Sequence, residues 1–217
     1  DVLLLDIVPD GAEDRSVIAK GAIQQMLKSN PEMLMHKRNV KRISAGNIED
    51  DLLRLGDFDW VVEVIIENLD IKRSLYAKLA EHIGSDTIVS SNTSTLPRPE
   101  LVEGMPKEMA SRFLIPHFFN PPRYLPLPEV VTAAEVDESA TERFSSFADE
   151  RLGKRVIMCN DEPGFIANRL GVYFIQRAFK ATRDHGFTVG QADAMLGRPI
   201  GVPKTAVFGL IDLVGVD

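Results

Sequence analysis

Between Trp60 and Ser90 the chain reads as strand, helix, strand. The run Trp60–Ile66 (WVVEVII) is rich in valine and isoleucine, Leu69–Ile83 carries a helical pattern closed by Gly84, and Thr87–Ser90 is a second short apolar run. Parallel strands need a crossover of this kind, and a buried parallel strand reads as a continuous apolar run. The same alternation extends outward. Val2–Asp6 reads as a strand, Glu13–Ser29 as a helix, Val40–Ile43 as a strand and Asp50–Leu55 as a short helix. In the first helix Val17, Ile18, Ala22, Ile23, Met26 and Leu27 recur at helical spacing. Further on, Pro97–Glu103 reads as a short helix, Asp137–Leu152 as a long one with Asp137 at its N-cap, and Arg155–Cys159 as a strand. Such a series predicts a parallel sheet with helices on both faces.

The texture changes near residue 160. Pro163–His185 is one long helical pattern with Phe165, Ile166, Leu170, Phe174, Ile175 and Ala178 expected inward, Pro163 in its first turn and Gly186 as its stop. Short helices are expected at Val189–Leu196 and Pro203–Leu213. The expected division is an α/β domain over residues 1–160 and an all-helical domain over 161–217.

Composition narrows the function classes. Of 217 residues 26% are charged, and the net charge is −7. The basic residues are scattered apart from a small knot at His36–Arg42, so the basic stripe of a nucleic-acid surface is missing. No apolar run is long enough to span a membrane. A single cysteine, Cys159, permits no internal disulfide and fits a reducing, cytoplasmic setting. Cys159 ends an apolar run and reads as a packed side chain. His36, His82 and His185 read as surface or cap residues.

The chemistry concentrates in two places. In RFLIPHFFNPPRYLPLPE (Arg112–Glu129) His117 ends one apolar run, Glu129 begins the next, and a proline-rich turn folds the two together. A carboxylate that orients an imidazole suits proton transfer near neutral pH. Upstream, SSNTS (Ser90–Ser94) is a hydroxyl- and amide-rich loop after a strand. Asp6 follows Leu3-Leu4-Leu5 as the acid at a strand end. That is where a dinucleotide's ribose hydroxyls are held, although a plain strand cap looks the same. The companion fingerprint G-x-G-x-x-G belongs about 20 residues upstream of such an acid. The chain is therefore expected to be a piece of a longer one, lacking the first strand and its glycine turn.

VVEVIIENLDIK (Val61–Lys72), SSNTS, HFFNPP (His117–Pro122), the PEVV around Glu129 and PGFIANRL (Pro163–Leu170) occur in the order found in the L-3-hydroxyacyl-CoA dehydrogenase family, which the whole chain resembles. The late segment GRPIGVPKTAVFGLIDLVGVD looks most like the dehydrogenase region of longer bacterial proteins, often fused to an enoyl-CoA hydratase. The resemblance implies a Rossmann-like, doubly wound NAD domain followed by a helical domain, with acyl-CoA bound in the cleft between them. It implies oxidation of a 3-hydroxyacyl-CoA in fatty-acid β-oxidation, NAD as cofactor and no metal. As partners it implies a second copy of the chain, and a hydratase and a thiolase.

Motif by motif, the resemblance makes His117 the catalytic histidine and Glu129 its carboxylate. It puts Ser94 beside the substrate hydroxyl and the nicotinamide, and Asn168 at the substrate. Asp6, Glu67, Lys72 and Asn120 match cofactor contacts. The coenzyme A positions of the first helix are not matched: Gln25 and Glu32 fall near them. Each residue also has an ordinary use. Ser94 can be a turn residue, Glu67 a helix-start acid, Lys72 part of a solvated helix face, and Asn168 a packing contact. The rival readings are an NAD-linked enzyme for a short hydroxy acid or polyol, and an inert segment of a multifunctional protein.

Overall fold

The computed structural model describes residues 1–215, so Val216 and Asp217, the last residues of the expected 161–217 domain, lie outside it. The chain divides into two compact units, Asp1–Asp161 and Glu162–Asp217.

The first unit holds two sheets. β1 (Val2–Asp6) pairs in parallel with β2 (Ile43–Asn47), from Val2 opposite Ile43 to Asp6 opposite Asn47. The second sheet has the order β3 (Trp60–Glu63), β4 (Ile88–Ser91), β5 (Phe113–Phe118), β6 (Pro128–Val131), β7 (Ile157–Cys159). Its pairs are parallel except β5 with β6, where the proline-rich turn returns the chain as a hairpin. The α/β sheet expected from the sequence is thus present in two pieces, with one antiparallel pair.

Helices cover both faces of the larger sheet. Ala140, Phe144 and Ala148 recur every four residues on α5 (Glu138–Leu152) and pack on Ile88, Leu114 and Val130. Burying a side chain such as Phe144 contributes about 1.5–3 kcal/mol. The alternate residue Phe113 points to the other face and meets Tyr76 of α2 (Leu69–Ala80) edge to face, with ring centroids 5.3 Å apart. Trp60 joins the α5 side against Phe144 at 5.3 Å. Gly153 stops α5 at φ +62°, a left-handed conformation that a side chain would strain.

Several boundaries differ from the sequence expectations, each for a local reason. Helix α1 spans Val17–Lys28 rather than starting at Glu13, because the Asp14 carboxylate takes the Ser16 N–H and holds the preceding residues in a turn. Residues Lys37–Arg42 form a 3₁₀ helix, and the strand expected at Val40–Ile43 begins only at Ile43, where pairing with β1 starts. Strand β3 stops at Glu63, short of Ile66: the Ile65 N–H donates to the Glu63 carboxylate at 2.7 Å and leaves the ladder. Short helices α3 (Arg98–Leu101) and α4 (Lys107–Ala110) follow β4, and the second of them has no counterpart in the sequence reading. Asp137 does sit at the N-cap of α5, yet its carboxylate accepts the Ser111 hydroxyl at 3.0 Å instead of a helix N–H.

The second unit is helical: α6 (Ala167–Asp184), α7 (Val189–Leu196) and α8 (Phe208–Val214). Helix α6 cannot start at Pro163, because Gly164 and Phe165 have φ of +75° and +46°. Of the residues expected inward, Phe165 and Ala178 are buried, whereas Ile166, Leu170 and Phe174 are exposed. Periodicity marks a helix face; what covers that face depends on neighbours. Helix α8 starts at Phe208 rather than Pro203. Asp193 fixes its first turn by accepting the N–H groups of Val207, Phe208 and Gly209 at 3.1, 2.9 and 3.1 Å. Among the described residues no helix is long and apolar enough to cross a membrane.

Candidate active site

The site grows from a proline. Strand β4 pairs with β5 only at Val89–Phe113 and Ser90–Leu114. Pro116 lies just beyond, where its missing N–H costs no bond to β4. There the strands part. The SSNTS loop leaves β4 on one side and His117 follows Pro116 on the other. The Asn92 side chain bridges them, its carbonyl accepting the Phe118 N–H at 3.2 Å. Crevices at the carboxyl ends of parallel strands are where α/β sheets bind ligands.

On its other edge β5 is antiparallel to β6, with His117 directly opposite Glu129. The two side chains therefore share one face of the sheet. His117 Nδ1 lies 2.9 Å from Glu129 Oε2, and the residues are 7% and 1% exposed. An ionised carboxylate only accepts, so this pairing is satisfied by the imidazole tautomer that carries its proton on Nδ1. Phe119 packs edge-on against the imidazole at 4.9 Å. Lys154, itself buried, donates to the carbonyls of Pro122 and Leu125 and pins the turn between the two strands.

The SSNTS loop is held as firmly. Ser91 Oγ donates to Glu63 Oε2 at 2.7 Å. Thr93 and Thr95 both donate to Glu67 Oε1, the latter at 2.8 Å. Ser94 lies between the two threonines and is half-buried. Burial works against the charge of Glu67, but the bonds from Thr93 and Thr95 and the Lys72 ammonium outweigh it and hold its pKa below the ordinary value.

Lys72 is not part of a solvated helix face. It is 1% exposed, which leaves of its two readings the match to a cofactor contact. Its ammonium donates to Glu63 Oε1 at 2.7 Å and lies 3.2 Å from Glu67 Oε2. Glu63 itself escaped notice, although a lone charge inside VVEVII was a signal: an acid in a buried strand needs partners. Tyr76 completes its shell at 2.6 Å. Burial first, and then Glu63, push the Tyr76 phenol's pKa far upward, so it stays a donor.

The remaining expected residues are carried by other segments of the chain. Asp6 ends β1, half-buried, and accepts the Ile7 N–H at 2.7 Å, the posture of a strand cap that still presents a carboxylate. Asn120 is exposed in the hairpin turn. Asn168 is exposed in the first turn of α6, within the second unit. Asparagine is less disfavoured there than in a helix interior, so its position alone argues little. Cys159 has its pKa pushed up to about 11 by burial and by the nearby Glu129 and Asp161 carboxylates, which keeps it a thiol.

Residues 1–162 match the family model described as "3-hydroxyacyl-CoA dehydrogenase, NAD binding domain", and residues 164–217 match "3-hydroxyacyl-CoA dehydrogenase, C-terminal domain". Over the whole chain it is 43% identical to a "Probable 3-hydroxyacyl-CoA dehydrogenase" from Deinococcus radiodurans, of which it spans 62%. It is 29% identical to a "Fatty acid oxidation complex subunit alpha" from Idiomarina loihiensis, covering 98% of this chain and 28% of that protein. Among solved structures, FadB2 from M. tuberculosis superposes with a TM-score of 0.81 at 28% identity, covering 98% of this chain and 73% of that one. The motifs, the fold and these matches agree: the chain belongs to the 3-hydroxyacyl-CoA dehydrogenase family.

Proposed function

We propose that the whole protein oxidises L-3-hydroxyacyl-CoA to 3-oxoacyl-CoA with NAD, and that His117 and Glu129 carry the acid–base chemistry. The observation behind this reading is the buried imidazole–carboxylate couple, registered across β5 and β6 beside the loop that holds Ser94. His117 Nε2 takes the proton of the C3 hydroxyl. Glu129 keeps the other proton on Nδ1 and stabilises the imidazolium that forms. Ser94 and Asn168 hydrogen-bond the oxygens where charge redistributes. These groups fit a nicotinamide cofactor: the Asp6 carboxylate for ribose hydroxyls, and Glu67, Lys72 and Asn120 as polar contacts. When bound, NAD⁺ supplies the hydride acceptor.

The setting is fatty-acid β-oxidation in the cytoplasm, supported by the name of the Idiomarina relative and by the single cysteine, still a thiol. That name also favours a place in a complex, for which a hydratase and a thiolase are the partners that the family resemblance implies. A second copy of the chain is the expected homodimer partner.

The test is acetoacetyl-CoA reduction by NADH in the full-length protein. His117→Gln lowers kcat by about 10²–10⁴-fold and leaves NADH affinity within about twofold. Near-normal turnover would remove His117 from the mechanism. Asp6→Ala weakens NADH binding in a titration; unchanged affinity would reduce Asp6 to a strand cap.

A further inference from the structure

We infer that Lys154 is a positioning residue for the His117–Glu129 couple: its buried ammonium closes the turn that joins β5 to β6, and the closed turn keeps the two side chains in register. The inference rests on the proposed dehydrogenase reading and extends it to a residue outside the two strands that carry the couple.

The turn is short of donors. Residues 119–127 connect the strands as FNPPRYLPL. Pro121, Pro122 and Pro126 lie within it and Pro128 opens β6, so none of these four offers an N–H. The N–H groups of Tyr124 and Leu125 both go to the Pro121 carbonyl. The next carbonyls are met from outside the turn. Lys154 Nζ donates to the Pro122 carbonyl and, at 2.7 Å, to that of Leu125. The Arg155 N–H donates to the Pro126 carbonyl at 2.8 Å. An ammonium has three donors and no acceptor, which suits a segment that has carbonyls to spare.

The end of α5 aims that ammonium. Gly153 turns the chain at φ +62°, and the Lys154 N–H bonds back to the Ala148 carbonyl at 2.8 Å. Beyond Arg155 the chain becomes β7, where Ile157 lies opposite Glu129. Residues 154–157 therefore run beside residues 122–129, with the Lys154 bonds at one end and the strand ladder at the other. Glu129 stands between them, opposite His117 on one edge and Ile157 on the other. Lys154 is 7% exposed, and both of its bonds go to neutral carbonyls. A buried ammonium is costly unless its donors are met, so an opened turn would strand the charge. That makes the closed turn the favoured one, and a rigid turn keeps a proton-transferring pair in its working geometry.

The experiment uses the full-length enzyme, with steady-state reduction of acetoacetyl-CoA by NADH measured well below each variant's melting temperature. Lys154→Met keeps a long side chain and removes the donors. It is expected to lower kcat about tenfold, the order of one charge-assisted hydrogen bond, and to leave KM for acetoacetyl-CoA within about twofold. Lys154→Gln is neutral and keeps N–H donors on a shorter chain; it folds at a smaller burial cost and is expected to lower kcat severalfold. The decisive readout is a double-mutant cycle with Glu129→Gln. Once the Glu129 carboxylate is gone, Lys154→Met should lower kcat by less than about a further twofold, because the couple it serves is already lost. Ile23→Val, at a buried position of α1, is the control: it lowers melting temperature and leaves kcat unchanged. The inference is overturned if folded Lys154→Met, or Lys154→Gln should Lys154→Met not fold, has the kcat of the wild type. It is equally overturned if the same loss persists in full in the Glu129→Gln background, or if Ile23→Val lowers kcat as much. A wild type that does not reduce acetoacetyl-CoA fails the dehydrogenase reading itself; an active wild type with an additive cycle fails only the positioning assignment.

Discussion

Two buried carboxylates lie in strands of the same sheet, and they have different kinds of partner. Glu129 faces His117 across β5 and β6 and meets its Nδ1, the couple proposed above to carry the acid–base chemistry. Glu63 faces a lysine, a phenol, a serine and a backbone N–H, and is closed on every side. The chemistry of a buried acid is set by its partners rather than by burial. A titratable partner makes a proton device; a saturated shell of donors makes a fixture.

Substitutions separate the two couples. The largest expected effect is on stability, from Lys72→Met. Removing one partner of a buried ion pair costs about 3–5 kcal/mol, and urea unfolding of the full-length protein should show a loss of that order. A loss below about 1 kcal/mol would mean that Glu63 is well held by its other donors alone. Next comes Glu129→Gln, whose effect falls on turnover. An amide can still accept from Nδ1 but no longer stabilises the imidazolium, so kcat should fall by at least about 10²-fold. A variant that instead loses melting temperature with kcat intact would make Glu129 a second fixture and erase the contrast. Tyr76→Phe is smaller: it leaves Glu63 one donor short and should cost about 1–3 kcal/mol, with the same assay of unfolding.

The smallest effect is a pH dependence at Glu67. Its folded pKa is lowered, so its contribution to stability is complete above the ordinary glutamate pKa of about 4.3 and is lost as pH falls through the folded value. Thr95→Val removes one of the bonds that lower it, so melting temperature should become less sensitive to acid below about pH 4.3 than in the wild type. An unchanged acid profile would show that the loop threonines do not hold Glu67.

The hairpin couple was readable in the sequence because everything that makes it is local. An apolar run, a proline-rich turn and a second run lie within eighteen residues, Arg112 to Glu129, and a hairpin register brings the ends together. The strand–helix alternation was readable for the same reason, since each period reports one element. The solvated-face reading of Lys72 was wrong because helix periodicity says which face a residue shares and not what lies over that face. The same error put Leu170 and Phe174 inward on α6.

The order of elements, the change of texture near residue 160, the pairing of His117 with Glu129 and the family were all carried by the sequence. Tertiary structure decided where β3 stops, which lysine is buried, and how Glu67 comes to grip the serine loop. The physical reason is range. Covalent spacing dictates turns, helices and hairpins, whereas the fate of a charge depends on donors that only the folded chain brings within 3 Å or so of it.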